Sequence, residues 1–231
     1  MFTIQMAGCC IGIENRYPRI EALCRDYVTQ EKPEFTVQVT QEEILRERNG
    51  GGSGSAPYLE TLAVYRKICR RLLERDILLF HCSALELDGN AYLFTAPSGT
   101  GKSTHARLWR ERFPVTVIND DKPLLSFQDG QILVHGTPYA GKEGLQTNTS
   151  APVKGIVILH QAKENTIAAV TAREAYPVLL NQTHRPEDGM GWIRTLELVQ
   201  KLAQLPVYRL GCTISQEAVT LAYDSLTGKR G

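Results

Sequence analysis

The 231-residue sequence predicts an α/β fold built on a phosphate-loop core, with a small α/β appendage ahead of it. Three observations predict it. Apolar runs of strand length alternate with stretches of helical periodicity along most of the chain. One such run, "AYLFT", passes directly into Ala96-Pro97-Ser98-Gly99-Thr100-Gly101-Lys102-Ser103, and a helical pattern follows. The next strand-like run, "VTVIN", ends in adjacent carboxylates, Asp120 and Asp121.

Taken in order, residues 1–49 read as strand "FTIQMAGCCIGI", helix "YPRIEALCRDYV", strand "FTVQV" and helix "QEEILRER", with Thr40 as the cap of the last. Residues 50–55, "GGGSGS", have neither side chains to pack nor a preferred backbone, so they mark a flexible loop. Their uniformity equally suits an inserted linker standing in for a longer segment. Residues 56–231 form the main domain. It opens with a helix over residues 58–75, whose Leu62, Tyr65, Cys69 and Leu72 recur at helical spacing. Arg66, Lys67, Arg70 and Arg71 fall mostly elsewhere and read as a solvated basic face, with a docking surface for an acidic partner as the alternative.

From Ile77 to Ala96 the pattern gives two or three strands, with Asp88-Gly89-Asn90 as the hairpin turn. The helix after the glycine-rich loop turns Ala106, Trp109 and Phe113 inward and stops at Pro114. "VTVINDD", "QILVHG", "KGIVILH" and "TIAAVT" read as strands, and "GMGWIRTLELVQKLAQL" as a helix. A strand "PVYRLGCTI" and a helix "SQEAVTLAYDSL" follow.

The bulk properties exclude several classes. Lysine plus arginine (26) nearly balance aspartate plus glutamate (25), so the excess cation of a general nucleic-acid binder is missing. No apolar run is long enough for a membrane span. The six cysteines, Cys9, Cys10, Cys24, Cys69, Cys82 and Cys212, lack the paired spacing of a structural zinc site and read as reduced thiols of a cytoplasmic protein.

In the loop, Gly99 and Gly101 allow the backbone to turn so that successive N–H groups point into one cavity, and the following helix adds its positive end. Lys102 then reaches the terminal phosphates of ATP, and the Ser103 hydroxyl ligates Mg²⁺. Ser98, Thr100 and Thr104 complete the nucleotide-binding set. In a mainly parallel sheet the end of the next strand shares an edge with this loop, which brings Asp120 and Asp121 to the nucleotide. Adjacent carboxylates repel, so one can hold metal while the other accepts a proton; a solvated "DDKP" turn is the plainer alternative. His81, one strand ahead of the loop, reads equally as a phosphate contact and as a core histidine. "HGTPYAGKEG", residues 135–144, is a surface turn or a lid that brings Lys142 to the transferred phosphate.

"HCSALELDGNAYLFTAPSGTGKST" followed by "VINDDKPLL" resembles the catalytic domain of HPr kinase/phosphorylase, whose core is shared more distantly by ATP-dependent phosphoenolpyruvate carboxykinase. The likeness spans roughly residues 77 to 160. "THARLWRE" and "GTPYAGKEG" are similar to the short HPr kinase homologues of lasso-peptide clusters, which phosphorylate the C-terminal serine of a precursor peptide. The resemblance implies a cytoplasmic kinase that takes ATP and Mg²⁺ and acts on a peptide or protein serine, with no nucleic-acid or membrane partner and with room for an oligomer. It places Lys102 and Ser103 on ATP and magnesium, Asp120 or Asp121 as the base and His81 near the phosphates; the carboxykinase likeness favours Asp120 as base and Asp121 on metal. Two positions depart from it: Ala96 stands where the loop pattern has glycine, and His135-Gly136 stands where the family has an arginine-glycine pair, which puts phosphorolysis in doubt. The alternatives are a nucleotide-dependent switch that transfers nothing and a kinase of a small-molecule hydroxyl.

Overall fold

The computed structural model describes residues 1–49, 53–97, 99–128 and 130–228. Of the Gly50–Ser55 run, only residues 53–55 are among them.

The N-terminal region forms β1 (Phe2–Met6), β2 (Cys9–Glu14), α1 (Arg19–Leu23), a 3₁₀ turn (Arg25–Tyr27), β3 (Val28–Thr29), β4 (Phe35–Gln38) and α2 (Gln41–Asn49). Its four strands lie in the order β3-β1-β2-β4. The stretch expected as one strand is a hairpin: Ala7 and Gly8 take φ of 51° and 76°, and β2 returns antiparallel to β1. Thr40 caps α2 as expected, and the bond is reciprocated, because Glu43 accepts from the Thr40 N–H while Thr40 Oγ1 accepts from the Glu43 N–H.

This small sheet does not bury its apolar face alone. Ile4, Ile11, Ile13 and Val37 pack against Leu59, Val64, Ile68 and Leu72 of α3 (Ala56–Leu73) in one continuous cluster. Glu60 of α3 is fully buried, and its carboxylate accepts from the backbone N–H groups of Arg16 (2.6 Å) and Tyr17 (3.1 Å). Thus α3 has two faces committed, one to the N-terminal sheet and one to the main domain.

The main domain continues with β5 (Ile77–Leu79), β6 (Ser83–Leu87), β7 (Asn90–Thr95), α4 (Lys102–Arg112), β8 (Thr116–Asn119), β9 (Leu124–Gln128) and β10 (Gln131–His135). After these come β11 (Ser150–Gln161), β12 (Thr166–Ala169), α5 (Ala172–Leu180), α6 (Gly189–Leu202), β13 (Val207–Cys212) and α7 (Gln216–Thr227). The nine-stranded sheet runs β5-β9-β10-β11-β7-β6-β8, with β13 beside β11 and β12 beyond it.

The sheet is mixed rather than mainly parallel. Among the described residues of this sheet, only β7 with β11 and β11 with β13 pair parallel. The expected hairpin joins β6 to β7, with Asp88 and Gly89 at φ of 53° and 75°. Strand β8 then pairs antiparallel with β6. Two reversals restore the direction, so β8 points the same way as β7. Their C-terminal ends, and the N-terminal end of β6, therefore share one edge.

Both faces of the sheet are covered, which is why its central strands read as unbroken apolar runs. On β11, Ile156 and Ile158 face the cluster built with α5 and α6, while Val157 and Leu159 face the cluster built with α4 and α7. On the second face Trp109, fully buried, lies 5.1 Å from the Phe94 ring and 5.3 Å from Phe113. Its indole N–H donates to His105 Nε2 at 3.0 Å, and burial drops the pKa of that histidine to about 4. His105 is thus a core residue that serves the packing of α4.

Candidate active site

The turn between β7 and α4 holds two glycines in the left-handed region. Gly99 and Gly101 sit at φ of 80° and 113°, where a residue with Cβ is strained, and a Cβ at either would meet nothing within 4 Å. Among the described residues, nothing stands close over either glycine. Gly101 is the N-cap of α4 and brings no side chain to its first amides, whereas Thr171, Asp188 and Ser215 cap α5, α6 and α7. Ser103 is exposed in the first turn of α4, and Thr104 is half-buried behind it. Lys102 folds back, its Nζ donating to the Ala96 carbonyl at 2.8 Å. Burial lowers its pKa, and the Asp121 charge opposes that shift. Ser98 lies outside the described residues.

His81, Lys102 and Asp121 come together at this edge. His81 precedes β6, and its Nδ1 lies 3.3 Å from Asp121 Oδ1. Its carbonyl accepts from Thr95 Oγ1 at 2.8 Å, at the end of β7, which ties His81 to the strand that launches the loop. The Asp121 carboxylate also pairs with the ammonium of Lys122. Burial alone would lift the Asp121 pKa; the His81 ring and Lys122 outweigh it and hold the carboxyl well below the usual aspartate range.

Asp120 lives differently. It is 5% exposed, and its Oδ1 accepts from the Gly141 N–H in the loop after β10. Burial raises its pKa, the Gly141 N–H pulls against this, and the negative Asp121 beside it adds to the rise. A Cβ on Gly141 would stand 3.1 Å from Asp120 Oδ2, so glycine is what lets the loop close on the carboxylate. Lys142 follows, exposed.

The loop is seated by groups the sequence did not advertise. Gly136 is fixed because a Cβ there would fall 1.9 Å from the Thr147 carbonyl. Asn119, fully buried, donates from Nδ2 to Thr137 O (3.0 Å), while its Oδ1 accepts from the N–H groups of Asp121 (2.9 Å) and Lys122 (2.6 Å). Tyr65 of α3 donates to Lys122 O at 2.8 Å and stacks on Tyr139 with centroids 3.8 Å apart. A strand-ending Asn and a loop tyrosine carry no spacing signal. Only Tyr65, on the inward face of a periodic helix, was marked as buried at all.

Among the described residues, the buried Tyr139 hydroxyl has no hydrogen-bond partner. Tyr139→Phe keeps the stack and removes that orphan, so its stability in urea unfolding should match the parent or exceed it by up to about 1 kcal/mol. A loss of more than about 1 kcal/mol would reveal a partner for the hydroxyl.

No curated protein matches the sequence. Among solved structures the chain is similar to the Hpr(Ser) kinase/phosphatase from Coxiella burnetii, at 13% identity and a TM-score of 0.39, over 66% of this chain and 99% of that one. A family model, described as SynChlorMet cassette protein ScmC, matches residues 56–217. The match begins at α3 and takes in the glycine-rich turn, the carboxylate pair and the loop over it. Because it covers well over half of the sequence, the chain belongs to the ScmC family of SynChlorMet cassette proteins.

Proposed function

We propose that the chain is an ATP- and Mg²⁺-dependent kinase that transfers the γ-phosphoryl group to a serine hydroxyl of a peptide or protein. The observation that carries this reading is the division of labour in the carboxylate pair: neighbours in sequence, Asp120 and Asp121 meet opposite surroundings at one sheet edge. A pair driven apart in this way suits one base and one metal ligand.

The residues fit a magnesium nucleotide. The turn at Gly99 and Gly101 has no described residue close over either glycine, Ser103 and Asp121 offer the hard oxygen donors Mg²⁺ takes, and Lys102 supplies the cation for the terminal phosphates. Bound there, Mg²⁺ partly neutralises the charge on the transferred group. Asp120 takes the proton of the serine hydroxyl as its oxygen bonds to phosphorus and ADP leaves. His81 orients Asp121 by its 3.3 Å contact. Lys142, exposed on the loop that Asp120 holds, is placed to meet charge arriving from solvent. The finer reading, in which the acceptor is the C-terminal serine of a lasso-peptide precursor, is supported by the stretches "THARLWRE" and "GTPYAGKEG".

The test is transfer itself. The full chain with γ-labelled ATP and Mg²⁺ should label serine peptides and leave their serine-to-alanine versions unlabelled, and Lys102→Ala should abolish the label. A chain that binds ATP yet labels neither peptides nor small alcohols would be a switch.

A further inference from the structure

A groove of about 840 Å³ runs between α3 and α6, closed at one side by α2. We infer that it seats the stretch of acceptor polypeptide flanking the serine, an inference that rests on the kinase reading above. Its length, chemistry and position each favour that occupant.

The α3 wall extends from Ala63 to Glu74. At the rise of a helix this is about 16 Å, the reach of about five residues of extended chain. A side chain or a single small metabolite does not span it.

On the α6 wall, Met190 and Ile193 stand one turn apart with exposures of 75% and 54%. Large apolar side chains left so open mark a contact surface when they line a concavity. The facing guanidinium groups are already neutralised: Arg66 binds Glu47 through two hydrogen bonds of 2.7 and 3.0 Å, and Arg70 lies 3.9 Å from Asp188. An apolar strip between balanced charges suits a polypeptide, whose backbone is neutral and polar and whose side chains provide anchors. It does not suit a nucleic acid or another polyanion, which would face Glu187, Asp188 and Glu197.

The groove is also tied to the site through the backbone. His184 is among its lining residues, and the segment that carries His184 pairs with the chain leading to His81. The His184 N–H donates to Leu79 O at 3.4 Å, and the Gln182 carbonyl accepts from the His81 N–H at 2.7 Å. One wall residue of the groove is therefore two residues along a paired segment from the backbone partner of the histidine that touches Asp121.

The experiment uses an array of short immobilised peptides, each with a central serine and otherwise randomised, probed with the full chain and with the double variant Met190→Glu, Ile193→Asp. Both positions are exposed, and an unchanged melting temperature confirms that the variant folds; Ile193→Ala serves as a milder second variant. The wild type should select peptides that share an apolar residue at a fixed distance from serine. The double variant should bind them about tenfold more weakly and show a KM raised by about the same factor, with ATP affinity and transfer to N-acetylserine amide unchanged. Ile193→Ala should fall between.

Equal binding by the variants, or no peptide selection by the wild type, overturns the inference. So does a dimer in sedimentation that the double variant dissociates, because the strip would then join two copies. If the selected peptides depend on Met190 and Ile193 but none accepts phosphate, the groove stands and the kinase reading fails.

Discussion

Asp120→Asn should lower phosphate transfer to serine by at least about a hundredfold, the usual contribution of a positioned general base, while leaving magnesium-nucleotide affinity nearly unchanged. Asp121→Asn should weaken that affinity first, because it removes the carboxylate that faces Lys102 and His81. The two changes delete the same atom type one residue apart, so a difference between them reports environment alone. The pH profile gives an independent sign. Burial raises the Asp120 pKa, so its basic form is lost as pH falls through a value above the ordinary aspartate figure of 3.8. The acid limb of kcat should therefore lie above that figure and vanish in Asp120→Asn. Asp121, held well below its usual range, stays ionised throughout. Equal effects of the two substitutions on nucleotide affinity, with transfer retained by Asp120→Asn, would remove the basis of the assignment.

How much of this was legible depends on whether a residue acts through its own chemistry or through its neighbours. The glycine-rich turn could be read directly, since Gly99 and Gly101 need φ values that other residues resist, and the strand before and helix after are set by local apolar period. The carboxylates could be read because two adjacent acids at a strand end are uncommon. Their meeting with the turn came about by another route than a mainly parallel sheet: β6 lies between β7 and β8, and two antiparallel steps do what one parallel step was expected to do. The pairing of strands is set by tertiary packing, which a single sequence does not display. Two elements of the main domain were missed for local reasons. Pro177 reads as a breaker, yet α5 carries it inside its nine residues behind the Thr171–Glu174 capping pair. Strand β9 follows Pro123 so closely that the sequence suggested only a turn. The basic residues of α3 were read as a solvated face, and half-exposed ion pairs are a fair version of that. What periodicity could not show is that α6 lies opposite them.

The residue whose loss should reach furthest without touching substrate is Asn119. Its side chain closes an Asx turn onto the Asp121 N–H, accepts from Lys122 as well, and donates across to Thr137 in the loop that covers Asp120. Strand β8, the carboxylate turn and the loop are thus joined by one buried amide. In Asn119→Ala two N–H groups and a carbonyl lose that partner together, each worth about 1–3 kcal/mol if left unsatisfied, so a total loss of about 3 kcal/mol or more is expected. Transfer should fall further than the folded fraction does, because Asp121 is then no longer held toward Lys102. Asn119→Asp separates the two effects. It keeps the acceptor for Asp121 and Lys122, loses the donor to Thr137, and adds a third carboxylate beside Asp120, so its acid limb should move to still higher pH than that of the parent. Urea unfolding of both variants beside the parent, with transfer measured where all are fully folded, checks this. Full activity in folded Asn119→Ala would mean that Tyr65 and Thr137, both bound to the Lys122 carbonyl, suffice to hold the turn.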